Sequence, residues 1–241
     1  MSNILETKGL SKAYGRTRVM SGVDMSVPAG SIYGLVGKNG SGKTTLMRLV
    51  TGLASPIGGS FTLYGAADGA ELREARKKIG AVIETPAVYP TMSAYDNLAM
   101  QCRIKGVSDT ACIAPLLETA GLAETGKKKA RNFSLGMKQR LALALALAGD
   151  PDFLLLDEPA NDLDPEGIIE MRELLLRLSR EKGKTILVSS HILSELSRLA
   201  THYGFIKDGV IVKEVRAEDI AVNDDADLEN YYIRLIGGTK K

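Results

Sequence analysis

Residues Gly37-Lys38-Asn39-Gly40-Ser41-Gly42-Lys43-Thr44 fit the pattern G-x-x-x-x-G-K-[ST], and their placement constrains the fold more than any other feature of the chain. A β-rich stretch ends at Val36. After the loop, Leu46, Met47, Leu49, Val50 and Leu53 recur at helical spacing. Strand, glycine turn and helix form the first half of a βαβ unit, which implies a parallel sheet. Glycines let the backbone curl until several N–H groups point at one anion, and the following helix adds its positive end. Lys43 is then placed to reach terminal phosphates, and the Thr44 hydroxyl to meet Mg²⁺. Gly37, Asn39, Gly40, Ser41, Gly42, Lys43, Thr44 and Thr45 are the candidate phosphate-binding residues. A purely structural glycine turn is the competing reading.

Composition excludes several alternatives. The chain has 241 residues, of which 44% are hydrophobic and 25% charged, enough apolar material for a sizeable core and too much for a disordered chain. Lys and Arg number 31 against 29 Asp and Glu, so there is no basic excess of the kind a dedicated nucleic-acid binder carries. Cys102 and Cys112 form no CxxC pair, and the two histidines, His191 and His202, have no cysteine partners. Neither a disulfide framework nor a zinc site is indicated; the thiols suit a reducing cytoplasm as small core residues. No run approaches the roughly 18 apolar residues of a membrane helix, and residues 1–7 lack the character of a secretory leader. Any work at a membrane requires another chain to span it.

Along the chain, strands are expected over 4–8, 19–25, 31–36, 60–63 and 79–83, with a charged helix around 72–78. From 93 to 149 the pattern is helical throughout. Ser93 is a suitable N-cap for a helix to about 104, and Ser108 or Asp109 opens another that ends near 121. The run Leu141-Ala142-Leu143-Ala144-Leu145-Ala146-Leu147-Ala148 alternates with period 2, as a strand does. Leu and Ala are strong helix formers without β-branching, and a helix is expected. Strands over 153–156 and 185–189 are almost wholly apolar, the mark of parallel strands buried on both faces. Helices over 166–182 and 193–200 and strands over 204–207 and 210–214 complete the alternation. An α/β core formed by 1–84 and 149–216 is thus interrupted by a helical segment, 85–148. A tail, 217–241, holds an acidic stretch (Asp224, Asp225, Asp227, Glu229), an amphipathic turn or two through Leu228, Tyr231, Tyr232, Leu235 and Ile236, and a fraying end at 237–241.

Three further segments carry chemistry. Asp157 and Glu158 end an apolar strand, where α/β sheets place ligands. Asp157 suits the ordering of Mg²⁺ waters, and Glu158 can hold an attacking water and accept its proton. The bland reading has both acids capping the turn at Pro159. His191 follows the strand over 185–189 and can meet a γ-phosphate and that water, or act simply as a cap; His202 is taken as structural. Ser134 heads a helix whose free N–H groups invite an anion. One nucleotide does not need two such loops from one chain, so the second makes sense as part of another subunit's pocket.

These motifs, in this order and over nearly the whole chain, resemble the ATP-binding subunits of ABC transporters. Ser134-Leu135-Gly136-Met137-Lys138-Gln139 resembles the family signature, a variant of the commoner L-S-G-G-Q. Asn161-Asp162-Leu163-Asp164 is similar to the D-loop, and Tyr14 to the aromatic that stacks on adenine; an ordinary exposed turn tyrosine is the alternative. The resemblance implies a P-loop NTPase (RecA-like) core with an N-terminal antiparallel β subdomain and an inserted all-helical subdomain. It implies ATP and Mg²⁺ as ligands, with Thr44, Asp157 and Glu84 at the metal and Glu158, His191 and Glu84 at the reacting phosphate. It also implies a head-to-tail dimer, of two copies or of two related chains, in which Ser134, Gly136 and Asp164 meet nucleotide across the interface. A separate permease would dock between Glu84 and Tyr95 at the cytoplasmic face of the membrane, with no nucleic acid involved.

The chain departs from the family at Glu84, where most members have glutamine. Glu84-Thr85-Pro86 and the ending Leu228-Glu229-Asn230-Tyr231-Tyr232 resemble the subgroup that exports bacitracin and lantibiotics, self-immunity pumps included. A carboxylate there repels phosphate unless Mg²⁺ compensates, or alters how the loop reports to the permease, or has no effect. The resemblance implies an ATP hydrolase that powers export of peptide antibiotics. Exporters of other hydrophobic compounds, lipids or ions, non-transport relatives acting on ribosomes or DNA, and a regulatory module without hydrolysis are the alternatives.

Overall fold

The computed structural model describes residues 2–85, 87–222 and 228–237, with nothing said of the side chains of 221 and 222. Pro86, the acidic residues Asp224, Asp225 and Asp227, and the expected fraying end beyond 237 lie outside the described residues. In chain order the elements are β1 (Asn3–Tyr14), β2 (Thr17–Pro28), β3 (Ile32–Val36), α1 (Lys43–Thr51), β4 (Gly58–Leu63), α2 (Gly69–Lys77) and β5 (Ile79–Val82). The helical stretch follows: α3 (Ala94–Ile104), α4 (Ile113–Thr119) and α5 (Leu135–Leu147), joined by short 3₁₀ turns. The chain then returns to alternation with β6 (Phe153–Asp157), α6 (Pro165–Lys182), β7 (Thr185–Ser190), α7 (Leu193–Leu196), β8 (His202–Lys207), β9 (Val210–Arg216), α8 (Ala217–Val222) and α9 (Leu228–Gly237).

Two sheets result. A small antiparallel sheet has the order β2-β1-β4, and a larger one the order β5-β6-β7-β3-β8-β9, parallel except for the β8–β9 hairpin. The fold is that of a P-loop NTPase core with an antiparallel N-terminal sheet and an all-helical insertion. β1 and β2 run much further than the short apolar segments suggested, because they form one hairpin turning at Gly15 and Arg16 and closing with the pair Tyr14 and Thr17. Conversely, α7 is shorter than its pattern implied, stopping at Leu196.

The central strands work in two directions at once, as period-2 alternation requires when both faces are covered. Tyr33, Leu35, Phe153, Leu155 and Leu187 face the core shared with the small sheet and α1. Ile32, Val36, Leu154, Leu156, Ile186 and Val188 face a second core with α6, α7 and α9. A third core lies within the helical stretch, where Leu98, Cys102, Ile113, Leu117 and Phe133 meet.

α5 belongs to two of these cores. Leu141 and Ala144, with the C-capping Ala148, face the helical cluster, while Ala142, Leu143, Ala146 and Leu147 pack on the large sheet. Leucine at every second position, turned 100° per residue, distributes leucines around the whole helix. That explains the strand-like pattern: a helix buried on all sides has no polar face to show. The contact is close because Gly80 of β5 lies under the Ala146 carbonyl, which a Cβ at position 80 would strike along with Leu154. Replacing Gly80 by alanine is expected to cost about 1–3 kcal/mol, as overpacked cores do. Urea unfolding monitored by circular dichroism measures that loss.

Candidate functional site

All parallel strands of the large sheet end at one edge, and the loop 37–42 leaves β3 there. Its shape needs glycine. At Gly37 a Cβ would fall 2.5 Å from both the Ile206 carbonyl and the Ser41 hydroxyl, and Gly42, which caps α1, has φ +108°. The first turn of α1 has neither a side-chain cap nor an acidic residue. The Ser41 hydroxyl is buried without a hydrogen-bond partner. Uncapped helix N–H groups and an unpaired buried donor fit an incoming polyanion.

Lys43, 4% exposed, turns back on the loop. Its ammonium donates to the carbonyls of Gly37 at 2.7 Å and Lys38 at 3.2 Å, and its Nζ lies 3.2 Å from Glu158 Oε1. The other oxygen, Oε2, is 2.9 Å from His191 Nδ1. Glu158 therefore bridges a buried cation and an exposed imidazole. Its backbone, like those of Glu84 and Asp162, lies in the left-handed region, with φ near 48°, 61° and 60°. Non-glycine residues adopt that region at a cost and are found disproportionately at ligand sites.

Asp157 is nearly fully buried and held from both sides. Thr44 Oγ1 donates to Oδ2 at 2.6 Å, and Ser189 Oγ donates to Oδ1 at 2.6 Å. Ser189 also accepts from the Glu158 backbone N–H at 2.9 Å. One hydroxyl on β7 thus orients the Asp157 carboxylate at the end of β6 and anchors the backbone of Glu158 just beyond it. Sequence reasoning missed Ser189, whose only signal was a polar residue at the end of an apolar strand. The strand register, which sets Asp157 opposite Ser189, is what gives it meaning.

Thr44, Asp157, Glu158, His191 and Lys43 are brought together. Glu84 is placed differently: its carboxylate is paired with Arg48 Nη2 of α1 at 2.5 Å. The Arg48 guanidinium is pushed up from its ordinary value, first by its hydrogen bond to Glu84 and then by the Tyr14 hydroxyl beside it. Arg48 is a second residue that sequence reasoning passed over. Tyr14 is 44% exposed at the end of β1, with Lys12 Nζ 5.0 Å from its ring centroid. Ser134 and Asp164 cap α5 and α6, accepting from the N–H groups of Met137 at 3.2 Å and Gly167 at 2.9 Å. Leu163 lies against Gly136, so the signature and the segment 161–164 adjoin. Ser134, Gly136 and Asp164 share no hydrogen bond or ion pair with the Lys43 cluster among the described residues. Asn39 and Gly40 are exposed on the loop, and Thr45 is buried beneath it.

An oxygen-rich set of Thr44 and Asp157 suits a hard divalent cation that takes its remaining ligands from phosphate and water. No cluster of three His, Cys, Asp or Glu among the described residues could hold a metal alone. No helix among them is long and apolar enough to cross a membrane.

The fold and site define a phosphate-loop nucleotide hydrolase, and comparison with known proteins gives the family. Residues 20–161 match the family model described as ABC transporter. The chain is 44% identical over 211 residues to the lantibiotic transport ATP-binding protein SrtF of Streptococcus pyogenes, covering 88% of this chain and 90% of that protein. It is 40% identical over 220 residues to the bacitracin transport ATP-binding protein BcrA of Enterococcus faecalis, covering 91% and 71%. Among solved structures, an ATP-binding subunit of an ABC transporter gives a TM-score of 0.85 at 28% identity, covering 97% of this chain and 99% of that one. A dimeric ATP-binding cassette in a post-hydrolysis state with ADP and Pi gives 0.79 at 27% identity, covering 88% and 98%. The chain belongs to the ABC transporter family. It is an ATP-binding ATPase subunit of that family.

Ser189→Ala is expected to lower ATP turnover about 10- to 100-fold, the usual effect of losing a group that orients functional ligands. Steady-state phosphate release tests this, with an unchanged far-ultraviolet spectrum as the check on folding.

Proposed function

We propose that this chain hydrolyses ATP around Lys43 to drive a separate membrane-spanning permease that exports peptide antibiotics of the bacitracin and lantibiotic type. The observation that carries the hydrolytic part is the Glu158 carboxylate, held between Lys43 and His191 beside the buried Asp157. The cargo class rests on the likeness to BcrA and SrtF.

The backbone of 37–42, with Thr45 beneath it, wraps the phosphates, and the adenine stacks on Tyr14. Lys43 exchanges the Gly37 and Lys38 carbonyls and Glu158 Oε1 for phosphate oxygens. Glu158, released on that side and still oriented by His191 Nδ1, accepts the proton of the attacking water on its carboxylate. Thr44 and Asp157 would hold Mg²⁺, which when bound neutralises charge developing on the phosphates. Glu84 joins that site only by letting go of Arg48.

The helix start at Ser134 is exposed and has no acidic residue in its first turn, whereas α6 is capped by the Asp164 carboxylate and carries Glu166 in its first turn. In a head-to-tail dimer, of two copies or of this chain and a relative, Ser134 and Gly136 complete the pocket of the second subunit. The permease docks on the surface between Glu84 and Tyr95, where Tyr89 and Tyr95 are about half exposed. The chain then sits at the cytoplasmic face of the membrane without crossing it.

Glu158→Gln is expected to keep ATP binding, to accumulate as an ATP-bound dimer, and to release phosphate about 10²- to 10⁴-fold more slowly, the span of a lost general base. Light scattering with Mg²⁺ and ATP and a phosphate-release assay measure both. Near-normal turnover would remove Glu158 from the base role. Co-expressed with its permease in a susceptible host, the wild-type chain is expected to raise resistance to bacitracin or a lantibiotic, and Glu158→Gln to abolish the gain. Intact hydrolysis without protection would overturn the cargo class and leave the motor standing.

A further inference from the structure

Cys102 and Cys112 are the only cysteines of the chain, and the fold brings their sulfurs to 3.6 Å as free thiols. Cys102 lies in the last turn of α3, 1% exposed, packed within the helical core. Cys112 ends the 3₁₀ turn Thr110–Cys112 that leads into α4, and is half-buried. Its thiol donates to the Asp109 carbonyl at 3.2 Å. The backbone keeps the pair in register: Val107 N–H returns to the Cys102 carbonyl at 2.8 Å, and Asp109 Oδ1 accepts from Ala111 N–H at 2.8 Å. Nothing in the ATP reaction uses either sulfur.

We propose that Cys102 and Cys112 form a redox-active dithiol, a site for two-electron oxidation by hydrogen peroxide that closes a reversible intramolecular disulfide across the end of α3. Sulfur–sulfur bonds are about 2.0 Å long, so closure needs the pair to approach by roughly 1.5 Å. The turn 106–111 between them, exposed apart from a half-buried Val107, is where that movement is accommodated.

The order of events follows from exposure. Peroxide reaches the half-buried Cys112 first; its sulfur attacks one peroxide oxygen, giving a sulfenic acid and releasing water. Cys102 sulfur then attacks the Cys112 sulfur, the S–O bond breaks, the thiol proton leaves with the hydroxyl, and a second water is released. Two thiols lose two electrons and one peroxide is reduced to two waters. A low-molecular-weight thiol reverses the link by exchange. Burial, with the neighbouring thiol, pushes Cys102 up to about 11, which makes it the less reactive of the two toward peroxide and makes its attack on the sulfenic acid the slower step.

The ring so formed encloses Lys105, whose ammonium donates to the Ile79 carbonyl at the start of β5 at 3.0 Å. The dithiol therefore sits on the segment that ties the end of α3 to the large sheet. Oxidation would stiffen that tie in a chain whose helical part otherwise meets the sheet mainly through α5.

Full-length reduced protein is treated with a small molar excess of hydrogen peroxide, quenched with an alkylating agent under denaturing conditions, and mapped by mass spectrometry. The expected result is loss of both alkylatable thiols, a Cys102–Cys112 linked peptide in a chain that remains monomeric on non-reducing electrophoresis, and full recovery of both thiols with dithiothreitol. Amide exchange over 103–111 is expected to slow several-fold in the oxidised form. Cys112→Ser, at the more exposed position, is expected to give no linked peptide and no slowing. Two alkylatable thiols after treatment, oxidation that stops at sulfinic or sulfonic acid, or linkage only between chains would each overturn the proposal.

Discussion

The carboxylate of Asp157 holds the site together. It is buried at the end of β6, and a buried carboxylate persists only when its oxygens are satisfied. Thr44 supplies one partner from the first turn of α1, and Ser189 supplies the other from β7. Three elements widely separated in sequence are thereby joined at one point, and the glycine loop is stretched between fixed ends. Ser189 also receives the Glu158 N–H, so the same hydroxyl that satisfies Asp157 sets the turn in which Glu158 is strained into the left-handed region. The Asp157 carboxylate is preorganised, since the strand register and its two hydroxyl donors fix where it points.

What sequence could and could not disclose divides along physical lines. The glycine loop was legible because its backbone geometry demands particular residues at particular spacings, and Asp157 and Glu158 because an apolar strand ending in two acids is rare in a buried sheet. The helical character of 93–149 was legible from residue type even where the leucine spacing in α5 imitated a strand. The length of β1 and β2 was not, since a hairpin carries its polar ends by pairing and apolar spacing records only the middle. Ser189 and Arg48 were missed for a related reason. Each acquires its role from a partner far along the chain, Asp157 for one and Glu84 for the other, and no local pattern encodes a register between distant strands. The approach of Cys102 to Cys112 is likewise a product of packing, since the nine residues between them say nothing about sulfur geometry.

The pairing of Glu84 with Arg48 bears on a position where the resemblance leads to an expectation of glutamine. An amide in that position would leave Arg48 without a charged partner; a carboxylate gives it one, and the Tyr14 hydroxyl lies beside the same guanidinium. Arg48 thus joins the Glu84 carboxylate to the end of β1, where Tyr14 stands. A charge introduced at Glu84 is accommodated on the protein's own framework.

The inward turn of Lys43 has an energetic consequence. Its ammonium is already satisfied by two carbonyls and a carboxylate of its own chain. Arrival of a triphosphate is then a trade of partners, in which only the difference between old and new contacts counts toward affinity. Departure of the spent product is eased in equal measure, because the lysine has somewhere to return. Such a pocket is suited to repeated filling and emptying, where grip that is too strong would stall the cycle.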